Sequence, residues 1–334
     1  MADKKNILIT GASGFIGGYI IDEALKREYN IFVTARKTTN TKKLQNKGIK
    51  NIIEVDFSDQ NNLENIFTGL PKFDFIIHNA GITKAFKNKE YFEINFHNTV
   101  RFIEALKKID KVPRKFIFMG SLAAYGPGKK NSSKPVKRSQ EPKPVTKYGV
   151  SKLKAERYIV DESGINYIIF SPTAVYGPGE KDLFTTIKLI NKGIDFKIGF
   201  KTQYFTFLYV KDLAKLVIDS LDSPIVNKEY FVSDGNLYTK KDLSRAIKKN
   251  LGVKAIPVTV PVWFATIVAA INEGISWISG KQSILNVEKI AELSAQNLNC
   301  DIEDLKKDLN FKPEYDLYKG MKESIDWYKK QGWL

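Results

Sequence analysis

The chain has 334 residues, 43% of them hydrophobic, which is enough for the core of one large domain or of two coupled domains. Charged residues make up 27% of the chain, so a globally disordered protein is excluded. The net charge of +16 comes almost entirely from lysine, without a helix-turn-helix, zinc-finger or RNA-recognition motif, so we expect no nucleic-acid partner. A solvated, lysine-rich surface is the first interpretation of the charge, and attraction to anionic substrates or to a membrane is the second.

Apolar strands alternate with helices through the first half of the chain. Strands are predicted at Ile7–Thr10, Asn30–Ala35, Asn51–Val55, Phe73–His78, Lys115–Gly120 and Asn166–Phe170. Helices are predicted at Phe15–Arg27, Leu63–Gly69, Tyr91–Ile109 and Tyr148–Val160. This alternation predicts an α/β fold of the Rossmann type, with a doubly wound parallel sheet and right-handed crossovers.

A glycine-rich turn joins the first strand to the first helix. Its glycines stand at G-x-x-G-x-x-G spacing, which permits a tight turn, close approach to a pyrophosphate and close helix–strand packing. The helix N-terminus adds N–H donors and positive potential for phosphate. We therefore predict a dinucleotide site at this turn, with contacts from Gly11, Ser13, Gly14, Phe15, Ile16 and Gly17.

The second predicted strand ends in Arg36 and Lys37, where a cofactor that binds through its ribose 2′-hydroxyl favours an acidic residue. Both cations are suited to pair with a 2′-phosphate. The sequence therefore favours NADP over NAD, although an Arg36 that stacks on adenine or caps a loop would leave NAD acceptable.

The pattern changes in the second half of the chain. Residues Pro127–Val145 are rich in proline, glycine and serine, which predicts a long loop. From residue 171 onward the predicted elements are shorter and mixed. We therefore predict a cofactor-binding Rossmann domain at residues 1–170 and a smaller α/β substrate-binding lobe at residues 171–334, with segments of the two interleaved.

An apolar run covers Val258–Ile271, and its apolar face continues to Ile278. The run is too short for a membrane-spanning helix, which needs about 20 apolar residues. A buried or lid helix that lines a pocket is the first interpretation, and an interfacial helix in peripheral contact with a membrane is the second.

Compartment and metal binding can be addressed from a few residues. Cys300 is the single cysteine, which excludes an intrachain disulfide and is typical of a reducing compartment. No apolar secretory segment precedes the first strand, so we expect a cytoplasmic protein. His78 and His97 are far from Cys300 and from each other in sequence, so no metal site is predicted. We expect His78 to make a structural hydrogen bond.

Further motifs follow the glycine turn in a fixed order. They are Val55–Asp59, His78–Gly81, Glu93–Thr99, Phe118–Gly126, the Y-x-x-x-K motif Tyr148–Lys152, Ser171–Gly179 and the V-x-D motif Val210–Asp212. Over nearly the whole chain they resemble the extended short-chain dehydrogenase/reductase family, also called the NAD-dependent epimerase/dehydratase family. The resemblance implies an NAD(P)-dependent oxidoreductase with cofactor contacts at Asp56, Phe57, Asn79, Ala80, Gly81, Asn95, Tyr148, Lys152, Pro172 and Val175.

The resemblance also implies that Ser121, Tyr148 and Lys152 are catalytic. Tyr148 and Lys152 are four residues apart on a helix and share one face. A neighbouring ammonium and an oxidised nicotinamide favour phenolate, so we expect the pKa of Tyr148 to be lowered from about 10. Tyr148 would exchange a proton with the substrate oxygen, and Ser121 would hold that oxygen by a hydrogen bond.

Three departures from the family pattern bear on the substrate. The catalytic strand continues Ser121-Leu122-Ala123, without the acid pair that water elimination needs, and the stretch Tyr204–Tyr209 lacks the arginine that clamps a diphosphate. Ser171 stands where many members have arginine. These departures favour a ketone reductase or secondary-alcohol dehydrogenase for a hydrophobic, lipid-like substrate, as in dihydroflavonol-reductase-like and 3β-hydroxysteroid-dehydrogenase-like members.

Two alternatives remain open: an NAD-dependent sugar-nucleotide epimerase, and a catalytically silent cofactor-sensing protein. The resemblance also implies a homodimer joined through the helices at Tyr91–Ile109 and Tyr148–Val160.

Overall fold

The computed structural model describes residues 4–279 and 286–334. The side chains of residues 276–279 lie outside the description, and with them the predicted apolar contribution of Trp277 and Ile278.

The described strands and helices alternate through the first half of the chain and become shorter in the second. The strands are β1 (Lys5–Thr10), β2 (Tyr29–Ala35), β3 (Asn51–Glu54), β4 (Phe75–His78), β5 (Lys115–Met119), β6 (Tyr167–Pro172), β7 (Ala174–Tyr176), β8 (Ile194–Ile198), β9 (Tyr204–Phe205), β10 (Phe207–Tyr209), β11 (Lys228–Val232), β12 (Tyr238–Thr239), β13 (Ile256–Val260) and β14 (Asn297–Leu298). The helices are α1 (Phe15–Ala24), α2 (Lys42–Asn46), α3 (Gln60–Thr68), α4 (Asn88–Phe92), α5 (Asn98–Lys108), α6 (Lys147–Arg157), α7 (Asp182–Asn191), α8 (Val210–Asp219), α9 (Lys240–Leu251), α10 (Val262–Ser279), α11 (Val287–Leu293), α12 (Glu303–Leu309) and α13 (Leu317–Lys330).

The main structural element is a seven-stranded sheet in the order β11-β6-β5-β4-β1-β2-β3. All of its strand pairs are parallel. Apolar side chains on each face are covered by helices and form two separate cores, because a parallel sheet buries both faces. The predicted doubly wound Rossmann-type fold is therefore confirmed.

Two predicted helices are interrupted by π-helical turns. The predicted helix at Tyr91–Ile109 consists of α4, a π-helical turn at Glu93–His97, and α5. Helix α6 likewise continues as a π-helical turn at Tyr158–Glu162. Such turns insert one extra residue into the backbone ladder and occur often at functional sites. Hydrophobic periodicity does not reveal them, since the apolar face continues across the turn.

The smaller lobe is built from paired short strands and helices. Strands β8 and β13 form a parallel ribbon, β7 pairs with β10, and β9 lies between β12 and β14. Helices α7, α9 and α13 enclose a third apolar core. Two elements beyond residue 171 rejoin the first domain: β11 pairs with β6, and α8 packs on α1. The boundary at residue 170 itself stays a prediction.

The apolar run at 258–271 forms the end of β13 and most of α10, and the prediction that it is buried is wrong. Only Ala265 and Ala269 are buried, against Ile198 and Ile290. The larger side chains face outward, as in Trp263, which is 65% exposed. The small alanines provide the packing stripe, which leaves the bulky residues on the open side. Among the residues searched, no helix is long and apolar enough to cross a bilayer.

Candidate active site

The predicted site residues converge at the carboxyl ends of β1, β4 and β5. Strand order reverses next to β1, because β2 and β3 lie on one side of it and β4 and β5 on the other. Parallel α/β sheets bind ligands in the crevice at this point, outside the strand ends. The glycine turn follows β1, Asn79 follows β4, and Ser121 follows β5.

The glycine turn has the geometry that a pyrophosphate site requires. Gly11 has φ +66°, and a Cβ there would lie 2.6 Å from the Asn79 carbonyl oxygen. A Cβ on Gly17 would lie 2.2 Å from the Gly11 carbonyl oxygen. Gly14 is the N-cap of α1, no side chain caps the helix, and its first turn carries no acid. The turn therefore offers free backbone donors and positive potential, and it fits a dinucleotide phosphate.

A buried hydrogen-bond chain fixes the ends of β1 and β4. His78 Nδ1 lies 3.0 Å from Thr10 Oγ1, and His78 Nε2 lies 3.1 Å from Thr99 Oγ1. Thr10 Oγ1 also accepts the N–H of Ala80 at 3.0 Å. Burial lowers the pKa of His78 to about 3. His78 is thus neutral at physiological pH and holds the strand ends, as the expected structural hydrogen bond requires.

Asn95 projects from the π-helical turn and organises the loop after β4. Its Oδ1 accepts the N–H of Ile82 at 2.8 Å, and its Nδ2 donates to the Ile82 carbonyl and to Ser151 Oγ, both at 3.0 Å. A Cβ on Gly81 would lie 2.9 Å from Asn95 Oδ1 and 3.3 Å from Lys152 Nζ. The amide is fully used by protein partners. Asn95 therefore acts on the shape of the loop that faces Lys152.

The other end of the crevice holds the residues predicted to bind the adenosine half. Arg36 and Lys37 follow β2 and are exposed. Asp56 is exposed after β3 and accepts from the N–H and hydroxyl of Ser58 at 2.9 and 2.7 Å. Those two hydrogen bonds lower the pKa of Asp56. Phe57 packs edge-on against Phe102 in the second core. All four predicted residues lie just beyond neighbouring strand ends.

Helix α6 carries the Y-x-x-x-K pair, and its start is well defined. Thr146 is the N-cap, and its side chain accepts the N–H of Gly149 at 3.0 Å. A Cβ on Gly149 would lie 2.2 Å from the Ala123 carbonyl oxygen, so the absence of a side chain lets the helix approach the segment that carries Ser121. This close approach brings Tyr148 to Ser121.

The pKa of Tyr148 differs from the lowered value expected for the Tyr148–Lys152 pair. Burial raises the pKa of Tyr148 to about 12, and the Ser121 hydroxyl opposes this. The predicted lowering is not seen in the structure, because burial outweighs the nearby ammonium of Lys152, whose Nζ donates to the Met119 carbonyl at 2.8 Å and lies 4.8 Å from the centre of the Phe118 ring. Burial lowers the pKa of Lys152 to about 8. At pH 7 the phenol is therefore protonated and Lys152 is mostly cationic.

A buried ion pair beneath the site was missed by sequence reasoning. Arg138, from the long loop, donates to Glu156 Oε2 at 2.9 Å and to Ser171 Oγ at 2.8 Å. Ser171 in turn donates to Glu156 Oε1 at 2.8 Å. A Cβ on Gly120 would lie 2.3 Å from Glu156 Oε1. Arg138 thus supplies a guanidinium beside Ser171. Many members of the family that this chain resembles have arginine at the position of Ser171. The sequence pattern did not indicate this ion pair, because Arg138 is a single arginine within a predicted loop.

Helix α11 forms part of the wall around Tyr148. Glu288 Oε2 accepts the N–H of Lys147 at 2.9 Å, which ties α11 to the start of α6. Glu292 lies close enough to raise the pKa of Tyr148. The ring of Tyr91 lies 6.2 Å from that of Tyr148. Sequence analysis named none of these neighbours, because α11 is far from the motif in the chain.

The segments predicted to lead to the substrate are aromatic and apolar. Pro172 is buried at the end of β6, and Val175 is half-buried in β7. Phe205 lies 6.0 Å from the ring of Phe207, and both belong to the third core. Thr206 is buried and donates to the Leu298 carbonyl at 3.1 Å. The stretch from β9 to β10 thus contains packed aromatic side chains and lacks the arginine that clamps a diphosphate in many family members.

These groups together suit proton exchange beside a dinucleotide. A protonated phenol, a hydroxyl and a buried ammonium meet at the strand ends, and the glycine turn lies across the same crevice. Within residues 4–279 and 286–334, no group of three or more histidine, cysteine, aspartate or glutamate residues could hold a metal ion.

Similar known proteins match this chain over most of its length. A model of the NAD dependent epimerase/dehydratase family matches residues 7–232. UDP-glucose 4-epimerase of Vibrio cholerae is 28% identical over 96% of this chain and 94% of its own length. The decarboxylating sterol-4-alpha-carboxylate 3-dehydrogenase of Schizosaccharomyces pombe is 23% identical over 97% of both chains. The structure of UDP-glucuronic acid 4-epimerase from Bacillus cereus in complex with NAD has a TM-score of 0.75, with 21% identity, and covers 98% of this chain and 99% of that one.

Proposed function

The chain belongs to the NAD-dependent epimerase/dehydratase family, and from that premise we propose that it epimerises a nucleoside-diphosphate sugar by reversible oxidation of one secondary alcohol. The observation that carries the proposal is the meeting of Tyr148, Ser121 and Lys152 at the switch point of the sheet. Membership in the family makes the protein an enzyme. The sugar is proposed from relatives that match almost the whole chain.

The chain's own residues have distinct roles in this chemistry. Gly11, Gly14 and Gly17 shape the turn that would hold the pyrophosphate of the cofactor, and the nicotinamide, when bound, supplies the hydride acceptor and donor. Ser121 donates a hydrogen bond to the substrate oxygen and fixes its position. Tyr148 gives its proton to that oxygen when a ketone is reduced and takes one when an alcohol is oxidised. The positive charge of Lys152 favours the phenolate that forms in the second case.

A nucleoside-diphosphate sugar replaces the hydrophobic ketone as the substrate that we propose first. The relatives that match over nearly the full chain include two named as UDP-glucose 4-epimerases. Since Phe205 and its neighbours provide no cation, a diphosphate would have to be held by lysines of the smaller lobe. Direct assays with UDP-sugars test whether the chain binds a diphosphate in this way.

A dehydrogenase for a hydrophobic alcohol is the second candidate. The aromatic packing of Phe205 and Phe207 favours it, because an apolar substrate needs no guanidinium clamp. A sterol dehydrogenase also occurs among the relatives. A cofactor-sensing protein remains a third possibility, but Tyr148 and Lys152 are both present and their positions suit catalysis.

The cofactor preference is also a proposal. The Bacillus cereus structure contains NAD, which supports NAD as the cofactor. The preference for NADP predicted from Arg36 and Lys37 has no support from the relatives. We propose that NAD binds and that the two exposed cations allow NADP to bind as well. Calorimetric titration with both nucleotides, on the wild type and on Arg36→Ala, measures how much of the NADP affinity depends on Arg36.

Nucleotide retention separates the two enzyme candidates. An epimerase regenerates its cofactor in each turnover, so heat denaturation of purified protein is expected to release NAD in stoichiometric amount. The protein should then interconvert a UDP-sugar and its 4-epimer without net formation of NADH, as followed by proton NMR. An empty site, with net NADH formed from a hydrophobic secondary alcohol and no change in UDP-sugars, would establish the dehydrogenase instead.

Replacement of the catalytic phenol tests the mechanism for either substrate. Tyr148→Phe removes the proton donor, so we expect kcat to fall by about 10²–10⁴-fold while the dissociation constant for NAD stays nearly unchanged. Tyr158→Phe is the matched control, because Tyr158 lies just beyond α6 and its hydroxyl donates to Glu104. Equal activity of Tyr148→Phe and the control would remove Tyr148 from the chemistry.

The predicted homodimer and cytoplasmic location remain proposals. In the surface formed by α4, the following π-helical turn and α6, Lys154 Nζ lies 5.6 and 5.8 Å from the ring centres of Phe92 and Phe96. Light scattering on Phe96→Glu, compared with the wild type, tests whether this surface joins two copies.

A further inference from the structure

Helix α10 presents an apolar face to the outside of the smaller lobe. Phe264, Ile267, Val268, Ile271 and Ile275 follow one another at helical spacing, and all are exposed. Soluble proteins rarely leave a large contiguous apolar surface open unless it contacts a partner or a membrane. Trp263, beside this stripe, extends the apolar surface.

The β8–β13 ribbon carries exposed apolar side chains on the face that packs against α10. Its register pairs Ile256 with Ile194 and Val258 with Phe196, and these four side chains are exposed. They alternate along the strands and therefore lie on one face of the ribbon. Ile256 is 73% exposed. Strand β13 leads directly into α10, so the apolar face of the ribbon and that of the helix are continuous in the chain.

The intervening residues of the ribbon point to its opposite face, where they line a basic groove that adds to the positive charge of the lobe. The groove has a volume of about 860 Å³ and includes Asp195, Lys197, Pro257 and Thr259 from the ribbon. Its cations are Lys197, Lys240, Lys241, Arg245, Lys248 and Lys249. Among the described residues that line this groove, Asp195 is the one acid, and it already pairs with Lys248 at 3.0 Å.

Further lysines border the apolar face. Lys192 precedes β8, Lys254 precedes β13, and Lys201 follows Phe200, which is 72% exposed. The side chains of all three lysines are exposed. A long lysine side chain can lay its methylene stem along an apolar surface and extend its ammonium to a charged layer above it.

From this arrangement we propose that the face formed by α10 and the β8–β13 ribbon docks on the surface of a membrane rich in anionic lipids. The helix lies in the interface with its apolar residues among the acyl chains, and Lys192, Lys201 and Lys254 contact lipid phosphates. Charge decides against a second copy of the chain as the occupant. A symmetric contact would bring two sets of the same lysines together, whereas an anionic bilayer complements both the charge and the apolar surface. The proposal does not depend on the identity of the substrate.

Vesicle binding tests the proposal. We expect the full chain to float with vesicles of phosphatidylcholine and phosphatidylglycerol, to bind pure phosphatidylcholine weakly, and to lose affinity as salt rises. The variant Trp263→Ser/Phe264→Ser/Ile267→Ser should reduce the partition coefficient by about ten-fold or more, since it removes three large apolar side chains. Lys192→Glu/Lys201→Glu should reduce binding to the anionic vesicles alone.

Leu25→Ser is the matched control, because Leu25 is an exposed apolar residue just after α1, outside this face. Brominated lipids should quench the fluorescence of the wild type more than that of Trp263→Phe. Retained NAD binding and turnover in the triple variant show that it is folded. Binding that the triple variant leaves unchanged, or a wild-type dimer that the triple variant converts to monomer without any vesicle binding, overturns the proposal.

Discussion

His78 shows how a single buried side chain can hold the site without taking part in the chemistry. Both ring nitrogens are used by threonine hydroxyls, one from the end of β1 and one from α5. Protonation would place a charge among the rings of Phe102, Phe116 and Phe118 and would break one of the two hydrogen bonds. The folded protein therefore resists protonation at this position.

The pH dependence of stability follows from this residue. The pKa of His78 is about 3 when folded and about 6.5 when unfolded, so between these values the unfolded chain binds one more proton. The contribution of His78 to the free energy of unfolding thus falls as pH drops below 6.5, by up to about 1.4 kcal/mol per pH unit. Urea titrations at pH 7 and pH 5.5 measure the slope.

His78→Gln should be less stable than the wild type at pH 7 but should show a flatter pH slope. His97→Gln makes the same substitution at the other histidine, which is exposed, and serves as the control. If His78→Gln retained the wild-type slope, the burial of a neutral imidazole would not be the cause of the pH dependence of stability.

The buried pair of Arg138 and Glu156 is a second test at the residue scale. Removal of one partner leaves the other charge buried, so Arg138→Met is expected to lower the free energy of unfolding by about 3–5 kcal/mol. Adding Glu156→Gln should recover part of this loss, with a coupling of about 1–3 kcal/mol in a double-mutant cycle. The exposed pair of Lys322 and Asp326 is the control, and its cycle should show coupling within experimental error. Additive effects at Arg138 and Glu156 would contradict the pairing.

At the scale of elements, the junction of β1 and α1 depends on one glycine and not on its neighbour. A Cβ on Gly17 would lie 2.2 Å from the Gly11 carbonyl oxygen, whereas a Cβ on Gly18 would meet nothing within 4 Å. Gly17→Ala should therefore push α1 away from β1, destabilise the fold by about 1–3 kcal/mol and weaken NAD binding. Gly18→Ala should leave NAD binding unchanged and stabilise the helix by about 0.5–1 kcal/mol. Thermal unfolding and calorimetric NAD titration on both variants give the comparison, and similar NAD affinities would count against the geometry.

The elements also show what the sequence could predict. The strands of the central sheet and the glycine turn could be predicted from the sequence, because a buried parallel strand is a run of apolar residues and a tight turn requires glycine. The exposure of the bulky face of α10 could not be predicted from composition, because an apolar helix has the same composition whether it is buried or exposed. The role of Arg138 was hidden as well, since its partner Glu156 belongs to another element and only the folded chain brings the two together.

At the scale of the whole molecule, the two lobes are interlocked. The edge strand β11 and helix α8 come from the second half of the chain but complete the sheet and the first core. Lys115, at the start of β5, donates to the carbonyls of Ser220 and Ser223, both at 2.7 Å, just beyond α8. Burial lowers the pKa of Lys115 to about 8, so its ammonium depends on these carbonyl partners. The shorter, mixed elements after residue 171 predicted interleaving, but they could not predict which segments return, since that is decided by contacts between distant residues.

The interlock predicts how the chain responds to division at residue 170. A fragment of residues 1–170 would expose the edge of β6, the face of α1 that packs on α8, and the ammonium of Lys115, so we expect it to aggregate when expressed alone. Residues 171–334 should aggregate alone for the same reason, because β11 would have no sheet to join. Expressed together, the two fragments should form a soluble complex that binds NAD, as measured by size-exclusion chromatography and calorimetry. A soluble monomeric 1–170 fragment with the NAD affinity of the whole chain would show that the first domain is independent and that β11 and α8 only cover it.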